Sequence, residues 1–114
     1  MITLYGLKNC DTCKKALKAL ADAGRETRFV DIRAEADLAD RVPVWLAKIE
    51  SKRLVNTRST TWRGLDDEQR VRAETDTAAL LIEHPTLIKR PVIEAGSDIW
   101  VGWTKAVEAA LVQA

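Results

Sequence analysis

The stretch Ile2-Thr3-Leu4-Tyr5-Gly6-Leu7-Lys8-Asn9-Cys10-Asp11-Thr12-Cys13-Lys14-Lys15-Ala16-Leu17-Lys18-Ala19-Leu20 decides how the chain is read. Its first residues, 2–5, are a short apolar run that predicts a strand. From Cys13 onward the apolar positions Ala16, Leu17, Leu20 and Ala21 recur at helical spacing, with Lys14, Lys15 and Lys18 on the other sides. Gly6 frees the backbone for the turn between the two periodicities. Asn9 or Asp11 is expected to cap the helix start, and Gly24 to end it in a left-handed conformation. The only two cysteines, Cys10 and Cys13, therefore fall on a strand-to-helix turn, three residues apart. A helix start carries partial positive charge, which favours thiolate over thiol, and the thiolate is the nucleophile.

Working outward, residues 27–32 predict a second strand. A strand-helix-strand unit favours a parallel pair. A second helix is expected from about Asp37 to Glu50, with Val42, Leu46 and Ile49 as its apolar stripe and Pro43 near its start. Residues 51–63 lack periodicity and are read as an ordered loop. Two short helices follow near residues 66–74 and 76–83, stopped by Pro85. A strand over residues 92–94, entered through Pro91, a turn at residues 95–98 and a returning strand over residues 99–102 make a hairpin. Thr104 is placed to cap a last helix with Val107, Ala110 and Leu111 inward. The order β-α-β, helical insertion, β-β-α predicts an α/β chain with a thioredoxin-like fold: a four-stranded mixed sheet with flanking helices. The whole chain, 1–114, reads as one domain, with the inserted helical subdomain at roughly 36–86.

Composition narrows the function. The 114 residues are 46% apolar and 31% charged, with a formal net charge of +1. That balance gives no general argument for nucleic acid. No run approaches the roughly 18 apolar residues of a membrane span, and the N-terminal residues lack a signal-peptide pattern. A cytoplasmic protein is expected, a monomer that binds neither nucleic acid nor membrane. In a reducing compartment two cysteines at this spacing point to catalysis or metal rather than a structural disulfide. A zinc site needs two further ligands, and the chain offers no other cysteine and one histidine, His84, so no metal is expected.

As a redox dithiol, Cys10 is the attacking thiolate and Cys13, one helical turn on, the thiol that resolves a mixed disulfide. Cys13 also falls on the buried stripe of the helix, where it could simply pack. Arg58 in the polar loop and Arg90 before Pro91 are either solvated charges or groups that converge on Cys10, lower its pKa and hold an anionic substrate. Spacing alone does not decide between these. His84 reads as a helix-end residue, and Trp45, Trp62, Trp100 and Trp103 as core or rim packing.

The residues Leu4-Tyr5-Gly6-Leu7-Lys8-Asn9-Cys10-Asp11-Thr12-Cys13-Lys14-Lys15-Ala16 resemble the start of the arsenate reductase (ArsC)/Spx family. Asn56-Thr57-Arg58 and Ile88-Lys89-Arg90-Pro91 fall where that family carries its arginines. With Thr60-Thr61-Trp62-Arg63 added, the chain looks most like the YffB-like branch. The resemblance implies a thioredoxin-like fold with a helical insertion after the second strand, and a cis Arg90-Pro91 bond. It also implies Cys10 as nucleophile, Arg58 and Arg90 as oxyanion- and thiolate-binding groups, and structural duties at the site for Asn9, Thr12 and Pro91. No cofactor is expected to be bound. Glutathione is the implied co-substrate, with glutaredoxin as a possible partner. Arsenate reductases of the family carry a third arginine where Gly102-Trp103 stands here, which points away from arsenate. Cys13 is shared with Spx-type regulators, which bind RNA polymerase and switch through a Cys10-Cys13 type of disulfide. The expected function is a glutathione-dependent thiol oxidoreductase acting on a disulfide, a glutathione mixed disulfide or an oxyanion. The alternatives are a redox-sensing regulator or an arsenate reductase proper.

Overall fold

A computed structural model describes residues 1–112. The chain divides into two compact units, one formed by Met1–Ala36 with the chain from Arg90 onward, the other by Asp37–Lys89.

The first unit holds the sheet. Strands β1 (Ile2–Gly6), β2 (Thr27–Asp31), β3 (Val92–Ala95) and β4 (Asp98–Val101) lie in the order β2-β1-β3-β4. β1 pairs parallel with β2 and antiparallel with β3, and β3 pairs antiparallel with β4. Helices α1 (Asp11–Asp22) and α7 (Lys105–Val112) complete the unit. This is the mixed four-stranded sheet with flanking helices of a thioredoxin-like fold. The period-two pattern of β1 sends Ile2 and Leu4 into a core with Cys13, Ala16 and Leu20 of α1, Ile93 of β3, and Val107 and Leu111 of α7. Tyr5 points to the other face, where its hydroxyl donates to Glu94 Oε1 at 3.3 Å.

The ends of α1 explain its placement. Arg25 N–H donates to the Leu20 carbonyl at 2.9 Å and Gly24 N–H to that of Ala21 at 3.0 Å, with Gly24 at φ 73°. These two bonds take up carbonyls that the helix end leaves orphaned, and only glycine enters that conformation without strain. Ala21, expected inward, is exposed, because the buried stripe runs through Cys13, Ala16 and Leu20. In the hairpin, Gly96 at φ 63° turns the chain between Ala95 and Asp98, which pair with each other. β4 ends at Val101, one residue earlier than expected, because Gly102 turns out of the strand at φ 81° and donates to the Pro91 carbonyl at 2.8 Å. Thr104 caps α7: its Oγ1 accepts from Val107 N–H at 3.2 Å.

The second unit is helical: α2 (Leu38–Leu46), α3 (Ser51–Leu54), α4 (Thr60–Arg63), α5 (Asp67–Thr75), α6 (Thr77–Glu83) and a 3-10 turn at Pro85–Leu87. Four expectations are corrected here. The helix expected over 37–50 is α2 alone, capped by Asp37 and closed where the Trp45 carbonyl accepts from both Lys48 and Ile49. Its stripe is Leu38, Val42 and Trp45, with Leu46 only half-buried. Pro43 lies inside it rather than at its start. The amide that Pro43 lacks would have served the carbonyl of Ala39, and both residues are exposed, so water can take that carbonyl. Residues 51–63 are not a loop throughout. Ser59 Oγ accepts from Trp62 N–H at 3.0 Å and so caps α4, and Val55 bridges antiparallel to Ile88. Helices of four residues have no apolar repeat, which is why periodicity passes over α3 and α4. Trp45, Leu54, Leu80, Leu81, Leu87 and Ile88 form the fully buried centre of this unit.

Candidate active site

Strand β1 ends at Gly6, the chain turns through Leu7 to Asn9, and α1 begins at Asp11. Cys10 is the N-cap residue, in extended conformation (φ −93°, ψ 119°). Its amide donates to the Leu7 carbonyl at 3.2 Å, and its own carbonyl accepts the first helical bond from Lys14 N–H at 3.0 Å. No side-chain oxygen caps α1, so the expected caps Asn9 and Asp11 are corrected. The sequence places a sulfur where a hydroxyl or carboxamide usually sits, and the amides of the first turn are left to act on it.

Cys10 is half-buried and Cys13 is fully buried, and both are free thiols. Desolvation is the largest single influence on Cys10 and pushes its pKa up. It is outweighed by the Cys13 amide and thiol and by the Arg90 guanidinium, all of which favour the charged sulfur. The net result holds the Cys10 thiol below its ordinary range. Cys13 goes the other way: burial, with smaller opposition from the Leu7 amide and a further push from Cys10, raises it to about 11. The surroundings thus push the two thiols apart, Cys10 downward and Cys13 upward.

The sheet register explains Arg90. Val92 pairs with Tyr5, so β3 runs antiparallel past the end of β1 and brings residues 90 and 91 alongside the turn that carries Cys10. Arg90 is half-buried and its guanidinium hydrogen-bonds the Cys10 sulfur. The Arg90-Pro91 bond is cis, and Pro91 is buried. Asn9 and Thr12 are exposed on either side of Cys10. Arg58 belongs to the helical unit, in the turn before α4. There it is exposed, its amide donates to Asn56 Oδ1 at 3.1 Å, and its carbonyl accepts from Arg63 at 3.1 Å. Thus the sheet unit gathers Cys10, Cys13, Arg90 and Pro91 within itself, and Arg58 is carried by the other unit.

Two residues of the site escape sequence reasoning. Leu7 contributes its amide to the Cys13 sulfur. Gly6 is more than a turn residue: a Cβ there would lie 2.4 Å from Cys13 Sγ. A glycine seven residues before a helical cysteine is the available signal, but only the packing gives it that meaning. A concavity of about 540 Å³ on the sheet unit includes Ile2, Ala95 and Trp100 rather than Cys10. Among the described residues, no group of three or more His, Cys, Asp or Glu side chains is arranged to hold a metal ion. None of the described helices is long and apolar enough to cross a membrane.

The model of the ArsC family matches residues 5–110. The chain belongs to the ArsC family. This ArsC-family chain is 44% identical over 111 residues to an uncharacterized protein of Haemophilus influenzae, covering 92% of this chain and 93% of that one. It is similar to the solved structure of a protein named YFFB, with a TM-score of 0.88, 32% identity, and coverage of 98% of this chain and 99% of that one. It is also 29% identical over 109 residues to the global transcriptional regulator Spx of Bacillus subtilis, covering 92% of this chain and 82% of Spx. Within the ArsC family the fold is shared, and the particular chemistry must come from the residues around Cys10.

Proposed function

We propose that the chain is a cytoplasmic thiol oxidoreductase that works with glutathione. The Cys10 thiolate attacks one sulfur of a disulfide or glutathione mixed disulfide, forming a new S–S bond to Cys10 and releasing the other sulfur as a thiolate. Glutathione then attacks the outer sulfur of the adduct and returns Cys10 to the thiolate, or Cys13 attacks the Cys10 sulfur, expels the outer group as a thiolate and leaves a Cys10–Cys13 disulfide that two glutathione thiols reduce. The substrate disulfide gains two electrons, and two thiols lose them. Arg90 holds the thiolate and the negative charge of the incoming group. The resemblance extends the same duty toward the substrate's charge to Arg58, and structural duties to Asn9, Thr12 and Pro91. The observation that carries this reading is the placement of Cys10 at the N-cap of α1 beside the Arg90 guanidinium.

The test is reduction of a glutathione mixed disulfide with glutathione as reductant and Cys10→Ser as control. The expected result is turnover by the native chain and none by the variant. Equal turnover in both would reject Cys10 as the nucleophile. The likeness to Spx favours a second reading, a redox-sensing regulator that binds RNA polymerase. Recovery of polymerase subunits on the immobilised native chain would support it. Failure to recover them under both oxidising and reducing conditions removes it. Arsenate as substrate is disfavoured by Gly102-Trp103 at the expected place of a third arginine. A coupled arsenate assay with glutathione and glutaredoxin decides that point.

A further inference from the structure

Alternation along the strands fills one face of the sheet unevenly. Ile2 pairs with Thr27 and with Ala95, and Ala95 with Asp98, so these four residues form the first row of that face. The next row on the same face is Phe29, Leu4, Ile93 and Trp100, large side chains that pack in the core with α1 and α7. In the first row Thr27, Ala95 and Asp98 are small or polar. A concavity of about 540 Å³ results, lined by Ile2 and Ala95 together with Trp100 and Leu111. That size suits a small molecule. Gly24 and Gly96 also line it, and a Cβ on either would meet nothing within 4 Å.

Two opposite charges flank this apolar floor. Asp98 shares the face of Trp100, and its carboxylate is exposed, with no ion-pair partner among the described residues. Arg25 is half-buried and lines the concavity. The Ile2 amide donates to the Glu26 carbonyl at 3.2 Å, which carries the β1–β2 ladder one residue beyond Thr27. Alternation then turns Arg25 to the side of Thr27, and Glu26, whose backbone also borders the concavity, to the opposite side. The guanidinium thus comes from the β2 edge of the sheet and the carboxylate from the β4 edge, three strand spacings or roughly 14 Å away.

We propose that this concavity binds a zwitterionic amino acid or dipeptide with a large apolar side chain. The ligand carboxylate pairs with the Arg25 guanidinium, whose five donors serve more than one acceptor. The ligand ammonium pairs with Asp98. Its side chain lies on Ile2, Ala95 and the Trp100 ring, which takes apolar surface out of water. A ligand with only one charge leaves one of the two flanking groups without a partner, and that difference sets the specificity. The site shares no residue with the surroundings of Cys10, so it stands or falls apart from the oxidoreductase reading.

The experiment titrates the full chain with L-phenylalanine and with the dipeptide leucyl-phenylalanine, followed by calorimetry and tryptophan fluorescence. At least one of the two is expected to saturate with a Kd below about 1 mM, and the tighter one identifies the ligand as amino acid or dipeptide. The amide of that probe, which lacks the carboxylate, and its N-acetyl form, which lacks the ammonium, are each expected to bind at least about tenfold more weakly. Arg25→Gln should weaken the zwitterion about tenfold and leave the amide form unchanged. Asp98→Asn should weaken the zwitterion to a similar degree and leave the N-acetyl form unchanged. Asp98 is exposed, so its variant keeps the test decisive even where Arg25→Gln impairs folding. Trp100→Phe keeps an aromatic wall and removes the indole, so it should abolish the fluorescence change while the calorimetric signal remains. Absence of saturable binding by both zwitterions overturns the proposal. So does equal binding of either singly charged form, an Asp98→Asn chain that binds like the native one, or a fluorescence change that survives Trp100→Phe.

Discussion

Gly6 and Cys13 share one space: a Cβ built on Gly6 would lie 2.4 Å from the Cys13 sulfur and 3.3 Å from its Cβ. The last residue of β1 must lack a side chain because the buried sulfur of α1 occupies the position where one would begin. Strand and helix therefore meet at this point with no side chain on the strand between them. Gly6→Ala is expected to push α1 away or force Cys13 off its rotamer, at a cost of about 1–3 kcal/mol. Urea denaturation checks it, and a midpoint equal to that of the native chain would show the packing to be looser than described. The double variant Gly6→Ala with Cys13→Ala should recover part of the loss, since the smaller side chain leaves room for the added carbon.

Alkaline stability should report Cys13. Its folded pKa, near 11, lies above the unfolded value of about 8.5. Between those values the unfolded chain has already lost the proton that the folded chain keeps. Stability is therefore full below about pH 8.5 and falls as pH rises toward 11. The loss from this one group is on the order of 2–3 kcal/mol. Cys10 has the opposite sign: its lowered folded pKa stabilises the fold above the unfolded value, and that contribution is lost as pH falls through the folded one. Denaturation series at pH 7, 9 and 10.5 on the native chain and Cys13→Ser isolate the Cys13 contribution. A native chain no more alkali-sensitive than the variant would contradict it.

Arg90→Gln should slow the reaction of Cys10 with iodoacetamide several-fold at neutral pH and shift its titration upward. The substitution removes a guanidinium that both hydrogen-bonds the thiolate and offsets its charge. Higher salt should weaken the native advantage while leaving the variant nearly unchanged. An unchanged pH profile in the variant would remove Arg90 from the site.

Ser59 holds the turn that carries Arg58. Its Oγ donates to the Asn56 carbonyl at 2.7 Å and accepts from Trp62 N–H at 3.0 Å. Ser59→Ala should cost about 0.5–2 kcal/mol of stability by uncapping α4. If Arg58 serves substrate binding, the same variant should raise KM for an anionic disulfide more than it lowers kcat. A change in kcat alone would speak against that duty for Arg58.

Much of the fold was legible from residues 2–24, because local rules operate there. A short apolar run marks β1, helical spacing marks α1, and a glycine suited to a left-handed cap ends it. The hairpin and the Thr104 cap are equally local. The helices at residues 51–54 and 60–63 were not legible, since a four-residue helix has no repeat to show. Nor was the true extent of α2, where the closing turn at Trp45 overrides an apolar spacing that continues to Ile49.

By itself the sequence determined that a cysteine would stand where a strand turns into a helix, because that follows from the order of two short periodic segments. Only the tertiary structure decided what surrounds it. Cys10 and Cys13 look equivalent in the chain. Cys13 becomes a buried, protonated thiol because the sheet core closes over it and Gly6 leaves space for its sulfur. Cys10 is held below its ordinary range because the Cys13 amide and thiol lie beside it and because the register of β3 on β1 delivers Arg90, eighty residues away in the chain, to its side. Desolvation and charge pairing depend on distance in space, and local patterns along a chain carry no record of that distance.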